Sequence, residues 1–500
     1  MFGVSPNPTP TQGEEEAAAA MPAPPSGSNR RRTEKLHDTA VSEADRSVMP
    51  PLLLFFLFCS YGLVAGEMPP ESLHLELISR FPHRYLTRLG HLRGLVDGDR
   101  FRQRMISQRI GHQQNQQHGR RELAGSNASS APPAAEESFA MPLSSGAYTG
   151  TGQYFVRFLL GTPAQRFVLV VDTGSDLTWV KCRPRSHGGS DAGAGESRVF
   201  RPEGSSSYAP IRCSAHMCKS SLPFALRSYS DGSTAKGVFA KESATITLTK
   251  GERRRKLRGL VVGCTTSFVG SSFRASDGVL GLGYSPVSFA ARAAARFGGR
   301  FSYCLVDHLS PKNATSRLTF GLTPALAAPH RRATELLLDP RLLPFYGVRV
   351  QGVSINGEML PIPAGVWDVG RGGGAILDSG TSLTVLAEPA YRLVSSELSR
   401  SLSGVPRVSV APFEHCYNWT AAGPAVSVPK MAIHMSGDVR LEPPAKSYVI
   451  DVAEGVKCVG ITAAPWPGVS TIGNILQQEH VWEFDLKHRR LRFRRSTCRW

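Results

Sequence analysis

Two aspartates in this sequence have matching surroundings that suit them to act together on one substrate. Asp172 follows the apolar run Val168–Val171, and Asp378 follows the apolar run Ala375–Leu377. Short apolar runs that end in turn residues are typical of strands, so each carboxylate is predicted to lie where a strand ends. The second unit stands about two hundred residues after the first, which indicates two lobes with one carboxyl group each.

A matching turn follows each aspartate. The turns are Thr173-Gly174-Ser175 and Ser379-Gly380-Thr381. A single D-T-G triplet indicates no more than a loop, because Asp and Gly are common turn residues, but its repetition favours a site. The two glycines let the turns approach closely, and the hydroxyl groups of Ser175 and Thr381 can donate hydrogen bonds to the outer carboxylate oxygens. The structural alternative for each hydroxyl is an ordinary turn hydrogen bond.

Paired carboxyl groups have a defined chemistry. At hydrogen-bond distance both cannot ionise readily, so one pKa rises and the pair shares a proton over a broad acidic range. The ionised member can take a proton from a water, while the protonated member polarises a peptide carbonyl and then protonates the leaving amine. The sequence contains no Cys/His cluster at zinc-ligand spacing, so neither a metal nor a cofactor is expected. The pattern therefore predicts hydrolysis of peptide bonds at acidic pH.

The composition fits a two-lobed, mostly β protein. The chain has 500 residues, of which 41% are hydrophobic and 20% charged, with 49 Gly and 36 Pro. Many short apolar runs and no long helical periodicity favour β structure. A further landmark is repeated: Asp277–Gly283 follows Asp172 at about the distance at which Thr471–Asn474 follows Asp378.

The net charge of +18 is unevenly distributed. Residues 1–137 are near neutral, so the excess belongs to residues 138–500, and it favours anionic partners such as acidic polysaccharide or nucleic acid. The run Arg253–Lys256 is predicted to be an exposed basic turn, for which a solvated face is the ordinary explanation. No aromatic-basic interleaving or recognition helix is evident, so binding of nucleic acid would be non-specific and sensitive to salt.

The first 137 residues are predicted to form three segments that precede the folded body. Residues 1–48 are predicted to be disordered or dispensable, and residues 49–66 to be a secretory signal peptide, with a signal anchor as the alternative. Residues 67–137 are interpreted as a prosegment and linker whose Arg and His side chains could lie across an acidic cleft; the alternative is a solvated basic helix. The body is divided into an N-terminal lobe, 138–335, and a C-terminal lobe, 336–500.

Cysteines and glycosylation triplets are consistent with secretion. One of the nine cysteines, Cys59, lies in the predicted signal, and the remaining eight favour four disulfides, although eight cysteines permit 105 pairings. Asn127, Asn313 and Asn418 begin N-x-S/T acceptor triplets, which also arise by chance. The expected destination is outside the cell, in the wall or in a vacuole, with a plastid as a further option.

With both turns and both apolar-apolar-Gly landmarks, residues from about 150 to 500 resemble the pepsin-like aspartic proteases. F-S-Y-C-L at Phe301–Leu305 and V-V-G-C at Val261–Cys264 are similar to the plant nepenthesin-like, or atypical, branch, which is also described as similar to a chloroplast nucleoid DNA-binding protease. The resemblance implies a bilobal fold with the cleft between two β-rich lobes. It also implies a flap Tyr over the cleft, matched by Tyr229, and a Trp that hydrogen-bonds that Tyr, matched by Trp179.

The resemblance also implies disulfide pairs. These are Cys213 with Cys218, Cys416 with Cys458, Cys182 with Cys264, and Cys304 with Cys498. The segment before the predicted flap is shorter than in nepenthesin-like enzymes and departs from their cysteine-rich insert. That departure affects no catalytic position.

The expected function is that of a secreted, monomeric aspartic endopeptidase with protein substrates. Two other functional hypotheses stay open. One is an inactive pepsin-like binding protein, as in the cereal xylanase inhibitors that this family resembles, and the other is a nucleic-acid-binding protease. Because inactive relatives lose a catalytic Asp or its turn, the intact turns here favour the enzyme.

Overall fold

Short β-strands make up most of the described chain, which confirms the predicted fold class. A computed structural model describes residues 87–117, 139–145, 152–182, 198–211, 227–228, 234–248, 253–269, 276–311, 314–323, 326, 332–423 and 426–499. These residues belong to one unit, Met68–Trp500. The predicted signal, the N-terminal extension and the linker lie outside them.

The first half of the body contains eleven of the described strands and one helix. Their bounds are β1 Phe139–Ser145, β2 Tyr154–Leu160, β3 Gln165–Asp172, β4 Thr178–Lys181, β5 Ala209–Pro210, β6 Arg227–Ser228, β7 Thr234–Thr247, β8 Arg254–Val269, β9 Gly278–Gly281, α2 Phe289–Arg296, β10 Arg300–Cys304 and β11 Ser316–Phe320.

The second half continues with shorter strands and two further helices. Their bounds are β12 Thr334–Leu337, β13 Tyr346–Val348, β14 Val350–Ile355, β15 Glu358–Met359, β16 Ala375–Asp378, β17 Thr384–Ala387, α3 Glu388–Ser401, β18 Arg407–Val410, β19 Phe413–Asn418, β20 Met431–Met435, β21 Val439–Leu441, β22 Val449–Ala453, β23 Val456–Val459, β24 Ile461–Ala464, β25 Ser470–Gly473, α4 Asn474–Gln477, β26 His480–Asp485 and β27 Arg490–Arg495.

The two halves repeat one arrangement of strands around each aspartate. In the first, β3 runs parallel to β9, with Asp172 opposite Gly281; in the second, β16 runs parallel to β25, with Asp378 opposite Gly473. The strand after each turn also has a parallel neighbour, since β4 pairs with β8 and β17 pairs with β24. The apolar-apolar-Gly landmarks are therefore the strands that flank the two aspartate strands.

One sheet joins the two halves. The last hairpin, β26 and β27, pairs with β10 of the first half through β26 and with β12 through β27, and β1 continues the sheet from β11 to β2. In its core Phe301 stacks on Phe484 with ring centroids 4.7 Å apart. The C-terminal residues thus complete a sheet that contains strands of both halves.

Helix α1, Arg88–Gln117, precedes the body and was not anticipated from the periodicity. Thr87 caps it, since its Oγ1 accepts a hydrogen bond from the Gly90 N–H at 3.1 Å. Its buried positions follow helical spacing: Leu92, Leu95, Val96, Asp99, Arg102, Gln103, Ile106 and Ile110. Because three polar residues interrupt this stripe, the helix has little net amphipathicity. The alternative of a solvated basic helix is wrong for this face.

Three disulfides join described residues. They are Cys182–Cys264, Cys304–Cys498 and Cys416–Cys458, the three pairs of described cysteines that the resemblance implied. Cys213 and Cys218 lie outside the described residues. Among the described helices, none is both long enough and apolar enough to cross a bilayer.

Candidate active site

The two aspartate turns are bound to each other by reciprocal hydrogen bonds. The Thr173 N–H donates to Ser379 Oγ at 3.0 Å, and the Ser379 N–H donates to Thr173 Oγ1 at 2.9 Å. Each hydroxyl also donates across the junction, Thr173 to the Leu377 carbonyl and Ser379 to the Val171 carbonyl. All of these groups are buried, so the bonds hold the two strand ends in one fixed relation.

Each carboxylate is oriented by the turn that follows it. The Gly174 N–H donates to Asp172 Oδ1 at 2.9 Å, and the Gly380 N–H donates to Asp378 Oδ1 at 3.0 Å. The opposite oxygens accept from hydroxyl groups: Ser175 Oγ lies 2.5 Å from Asp172 Oδ2, and Thr381 Oγ1 lies 2.6 Å from Asp378 Oδ2. Both aspartates are buried, so these fixed donors replace solvent.

The two glycines are required by how closely the turns approach. A Cβ on Gly174 would lie 2.8 Å from Asp378 Oδ1, and a Cβ on Gly380 would clash with Asp172 Oδ1. Any larger residue would therefore push the opposite carboxylate away. This is the close approach that the sequence predicted for both positions.

A guanidinium group from helix α1 lies between the two carboxylates. Arg102 Nη2 is 2.5 Å from Asp172 Oδ1 and 2.7 Å from Asp378 Oδ1, and Arg102 Nε is 2.5 Å from Asp378 Oδ2. The Arg102 side chain is 9% exposed. One cation thus makes a bidentate contact with Asp378 and a further contact with Asp172 in a site from which water is largely excluded. The position between the carboxylates is filled.

The pKa values at this site follow from burial and from Arg102. Burial acts to raise the pKa of Asp172, but the Arg102 charge with the hydrogen bonds from Arg102, Ser175 and the Gly174 N–H lowers it below its usual range. Burial raises the pKa of Asp378, with the charge of Arg102 opposing and the charge of Asp172 adding to the rise. While Arg102 lies between the carboxylates, Asp172 is therefore the stronger acid of the pair.

Two more polar residues of α1 bind the body near the dyad. Asp99 accepts hydrogen bonds from the backbone N–H groups of Ser382 at 2.8 Å and Leu383 at 2.6 Å, directly after the second turn. Gln103 donates to the Val469 carbonyl at 2.7 Å and accepts from Thr471 Oγ1 at 2.8 Å. Burial raises the pKa of Asp99 to about 7, against its backbone hydrogen bonds and the Arg102 charge.

Apolar contacts hold α1 on both sides of these polar residues. Towards its N-terminus, Leu92, Leu95 and Val96 pack in a cluster that contains Phe413 and Ile450. Towards its C-terminus, Ile106 and Ile110 of the helix pack in a second apolar cluster. The body residues of that cluster are Leu342, Phe345, Val369, Ile376 and Val469. The body residues of both clusters lie between 342 and 475, so the second half of the body supplies the apolar part of this interface.

The remaining predicted site residues divide by whether the structure describes them. Trp179 is fully buried and packs with Phe155, Val170, Ala235 and Val279. Asn418 is described and half-buried, at the end of β19. Tyr229 and Asn313 lie outside the described residues, so the flap and that glycosylation position stay predictions.

The basic run Arg253–Lys256 is not a turn throughout. Strand β8 already begins at Arg254, which pairs with Thr247 of β7, so most of the run lies in a long hairpin. Alternating positions of a strand point to opposite faces, and the local burial follows this, with Leu257 buried between exposed Lys256 and Arg258. The predicted exposure is confirmed for Arg253, Arg254 and Lys256.

Sequence reasoning missed the residues that fill and bridge the site. The sequence predicted that basic side chains of the prosegment could lie across an acidic cleft, but it did not single out Arg102. It assigned no role to Asp99. The available signal was helical spacing: Asp99, Arg102 and Gln103 occupy the positions at which the apolar stripe of α1 would otherwise continue. It also assigned hydrogen bonds to Ser175 and Thr381 alone, whereas Thr173 and Ser379 lock the turns together.

Similarities to known proteins extend over most of the body. Family models described as xylanase inhibitor N-terminal and C-terminal domains match residues 154–322 and 345–495. Aspartyl protease family protein 2 of Arabidopsis thaliana is 34% identical over 396 residues, covering 75% of this chain and 77% of that protein. Aspartic proteinase nepenthesin-2 of Nepenthes gracilis is 30% identical over 366 residues, covering 70% and 79%.

A solved structure supports the fold independently. The basic 7S globulin from soybean aligns with a TM-score of 0.56 at 20% identity, covering 73% of this chain and 98% of that one. The repeated strand arrangement and the paired aspartates define the pepsin-like class of aspartic proteases. Within that class, the chain belongs to the plant nepenthesin-like family, as its identity to these relatives shows.

Proposed function

We propose that this chain is the zymogen of an aspartic endopeptidase whose catalytic pair is Asp172 and Asp378. The observation that carries the proposal is that both carboxylates reach the same guanidinium group, on which they converge from two interlocked turns. A site that places two carboxylates around one cation can also place them around one water and one peptide carbonyl. The named relatives are aspartic proteases, which supports the same activity here.

In the proposed mechanism the two aspartates have different tasks. Asp172 is assigned as the ionised base that takes a proton from the water. It keeps the hydrogen bonds from Ser175 and the Gly174 N–H after Arg102 leaves. Asp378, the more deeply buried of the two, is assigned the proton that polarises the scissile carbonyl. The activated water adds to the carbonyl carbon and gives a tetrahedral diol. Asp172 then passes its proton to the nitrogen while Asp378 regains one from the diol, and the C–N bond breaks to leave a carboxylic acid and an amine, with the pair in its starting protonation state. The buried bonds between Thr173 and Ser379 keep the carboxylates at a fixed separation, so little reorganisation is needed during the reaction.

Helix α1 is proposed to be the inhibitory part of a prosegment that spans residues 67–137. Arg102 occupies the position of the catalytic water, and Asp99 and Gln103 with the two apolar clusters fix the helix in place. Acidification weakens the Arg102 contacts, because protonation of the dyad removes the charges that bind the guanidinium. Cleavage between about residues 121 and 148 would then separate α1 from the body. The N-terminal sequence of the active species tests that boundary.

A binding or inhibitory function without catalysis is the main alternative, since the matching family models are described as xylanase inhibitor domains. The proposal of catalysis is favoured here by two complete D-[TS]-G turns with every orienting hydrogen bond present. The deciding experiment is to incubate the processed protein with denatured protein at acidic pH and identify the products by mass spectrometry. Stoichiometric inhibition of a xylanase without any new peptide would establish the alternative.

The compartment, substrates and partners of the enzyme are also part of the proposal. We infer a secreted or vacuolar monomer with protein and peptide substrates, which the three disulfides and the predicted signal support. The excess of positive charge on the body adds an anionic partner, acidic polysaccharide or nucleic acid, to the proposal. Catalysis at acidic pH requires an acidic compartment such as the wall or the vacuole.

A further inference from the structure

A basic cavity lies between strand β8 and helix α2, and none of its lining residues belongs to the catalytic turns or to α1. Its volume is about 580 Å³, within the range of sites that hold small ligands. Five cationic side chains line it: Arg255, Lys256, Arg258, Arg292 and Arg296. The other lining residues are Leu257 and Ala295, so within the described part of the chain the lining includes no carboxylate and no aromatic ring.

The cations come from two elements. On β8, Lys256 and Arg258 are exposed and Arg255 is half-buried. On α2, Arg292 and Arg296 are four positions apart, which places them on one side of the helix about 6 Å apart. The opposite side of α2 is buried through Ala290 and Ala293, so the two arginines point away from the core. Arg296 also lies in the last turn of α2, where a cation stabilises a helix without any ligand; Arg292 has no such explanation.

One hydrogen bond joins the two walls, and another holds Lys256 to the turn before β3. Arg292 Nη2 donates to the Arg258 carbonyl at 3.2 Å, and Lys256 Nζ donates to Thr162 Oγ1 at 2.9 Å. Gly259 has φ of +70°, and a Cβ there would lie 3.2 Å from Arg292 Nη2, so a glycine allows this strand and this arginine to approach. The cavity thus gathers five cationic side chains with no carboxylate among its lining residues, and a bound polyanion would reduce their mutual repulsion.

We propose that this cavity binds the carboxylate groups of an acidic polysaccharide chain. Guanidinium groups on two neighbouring elements suit the planar carboxylates of one chain, because each can bind a carboxylate through two parallel N–H bonds. Single-stranded nucleic acid is less well suited, since its binding sites combine cations with aromatic rings on which bases stack, and this lining has none among the described residues. The inference gives a location to the proposed anionic partner and does not depend on peptidase activity.

The test measures binding of the full chain to immobilised polygalacturonate at about 0.1 M salt, where weak surface attraction is largely screened. The cavity variant carries Arg258→Gln, Arg292→Gln and Arg296→Gln. A matched control carries Arg489→Gln, Arg494→Gln and Arg495→Gln, three exposed arginines at the last hairpin, and loses the same net charge. The melting temperature of the full chain and peptide cleavage by its processed form show whether either variant disturbs the fold or the dyad.

The expected result is a loss of roughly tenfold or more in affinity for the cavity variant and less than about threefold for the control. Fully methyl-esterified polygalacturonate, which keeps the sugar chain but not its charge, should bind neither the wild type nor either variant. Equal losses in both variants would show diffuse attraction by net charge and overturn the site. A single-stranded 20-nucleotide DNA that binds more tightly than polygalacturonate, with the same dependence on the cavity, would overturn the polysaccharide assignment, as would absence of polygalacturonate binding by the wild type.

Discussion

The two aspartate turns have almost the same internal bonds but very different relations to helix α1. In each, a glycine N–H and a hydroxyl bind the carboxylate, and the strand pairing is repeated in register. Directly after the second turn, however, the N–H groups of Ser382 and Leu383 also donate hydrogen bonds to Asp99 of α1. The body residues of the apolar clusters that contact the helix belong to the same half. The first turn offers Asp172 and a 4.0 Å contact between Asp176 and Arg109.

This difference separates two tasks that a symmetric site would combine. The C-terminal lobe anchors the helix, and the N-terminal lobe meets it mainly through the charge of Asp172. Arg102 is therefore the residue that connects anchoring with inhibition, because it alone of the α1 side chains described here binds both carboxylates. Substitutions in the dyad, in Arg102, in Asp99 and in the turn hydroxyls should each affect a different part of this division.

The largest expected effect comes from the dyad itself. Asp172→Asn or Asp378→Asn in the processed enzyme should lower kcat/KM by roughly a thousandfold or more, because general acid and base catalysis by the pair is lost. Asp176→Asn, a change of the same kind in the first turn region, is the control and should retain activity within a few-fold. The measurement is cleavage of a fluorogenic peptide at acidic pH. Full activity in either dyad variant would remove the shared mechanism.

Repeated local patterns in the sequence predict one part of the molecule, and long-range contacts determine the rest. The strand-Asp-turn units, the flanking landmarks and the two-lobed β fold follow from local patterns that are repeated, so they were predicted correctly. The docking of α1 depends on contacts between residues some three hundred positions apart, such as Asp99 with Leu383. No local pattern encodes such a partner. A charged residue on a helix is usually solvated, and only the fold reveals that Arg102 is buried against two carboxylates.

Arg102→Gln should give the next largest effect, on the unprocessed chain. Removal of one partner from a buried ion pair costs about 3–5 kcal/mol, so α1 should leave the dyad more readily and activity before cleavage should rise by roughly a hundredfold or more. Arg104→Gln on the exposed side of the same helix is the control and should leave the chain inactive. Intact mass measured with each activity reading ensures that the chain is uncleaved. An equally inactive Arg102→Gln chain would show that α1 inhibits by covering the cleft and not through the guanidinium.

Asp99 should give a smaller effect that depends on pH. Docking raises its pKa to about 7, so its contribution to docking is complete below its ordinary pKa near 4 and is lost as pH rises through 7. Arg102 acts in the opposite direction, because it lowers the pKa of Asp172 and its contribution is lost as pH falls. Hydrogen exchange of the α1 amides, corrected for the intrinsic rate, measures docking.

Relative to Asp99→Asn, the wild-type helix should lose protection between about pH 4 and pH 7, by at most about tenfold per pH unit, and then level off. Exchange times must be shorter than processing, which intact mass verifies. Asp97→Asn, at an exposed position two residues earlier, should behave as the wild type. If the ratio of α1 protection in the wild type to that in Asp99→Asn rises with pH, the hydrogen bonds from Ser382 and Leu383 lower the pKa of Asp99 by more than burial raises it.

The smallest expected effects distinguish the two turn hydroxyls. Ser175→Ala removes a donor to Asp172 and should raise its pKa, which moves the acidic limb of the kcat/KM profile of the processed enzyme to higher pH. Thr381→Val does the same to Asp378 and should move the basic limb. Ser175 is half-buried, so water can replace its hydroxyl and the shift should stay below about one unit, whereas Thr381 is buried and its loss should give about one unit or more. If both variants shift the same limb, the assignment of base to Asp172 and acid to Asp378 is wrong, although the dyad itself would stand.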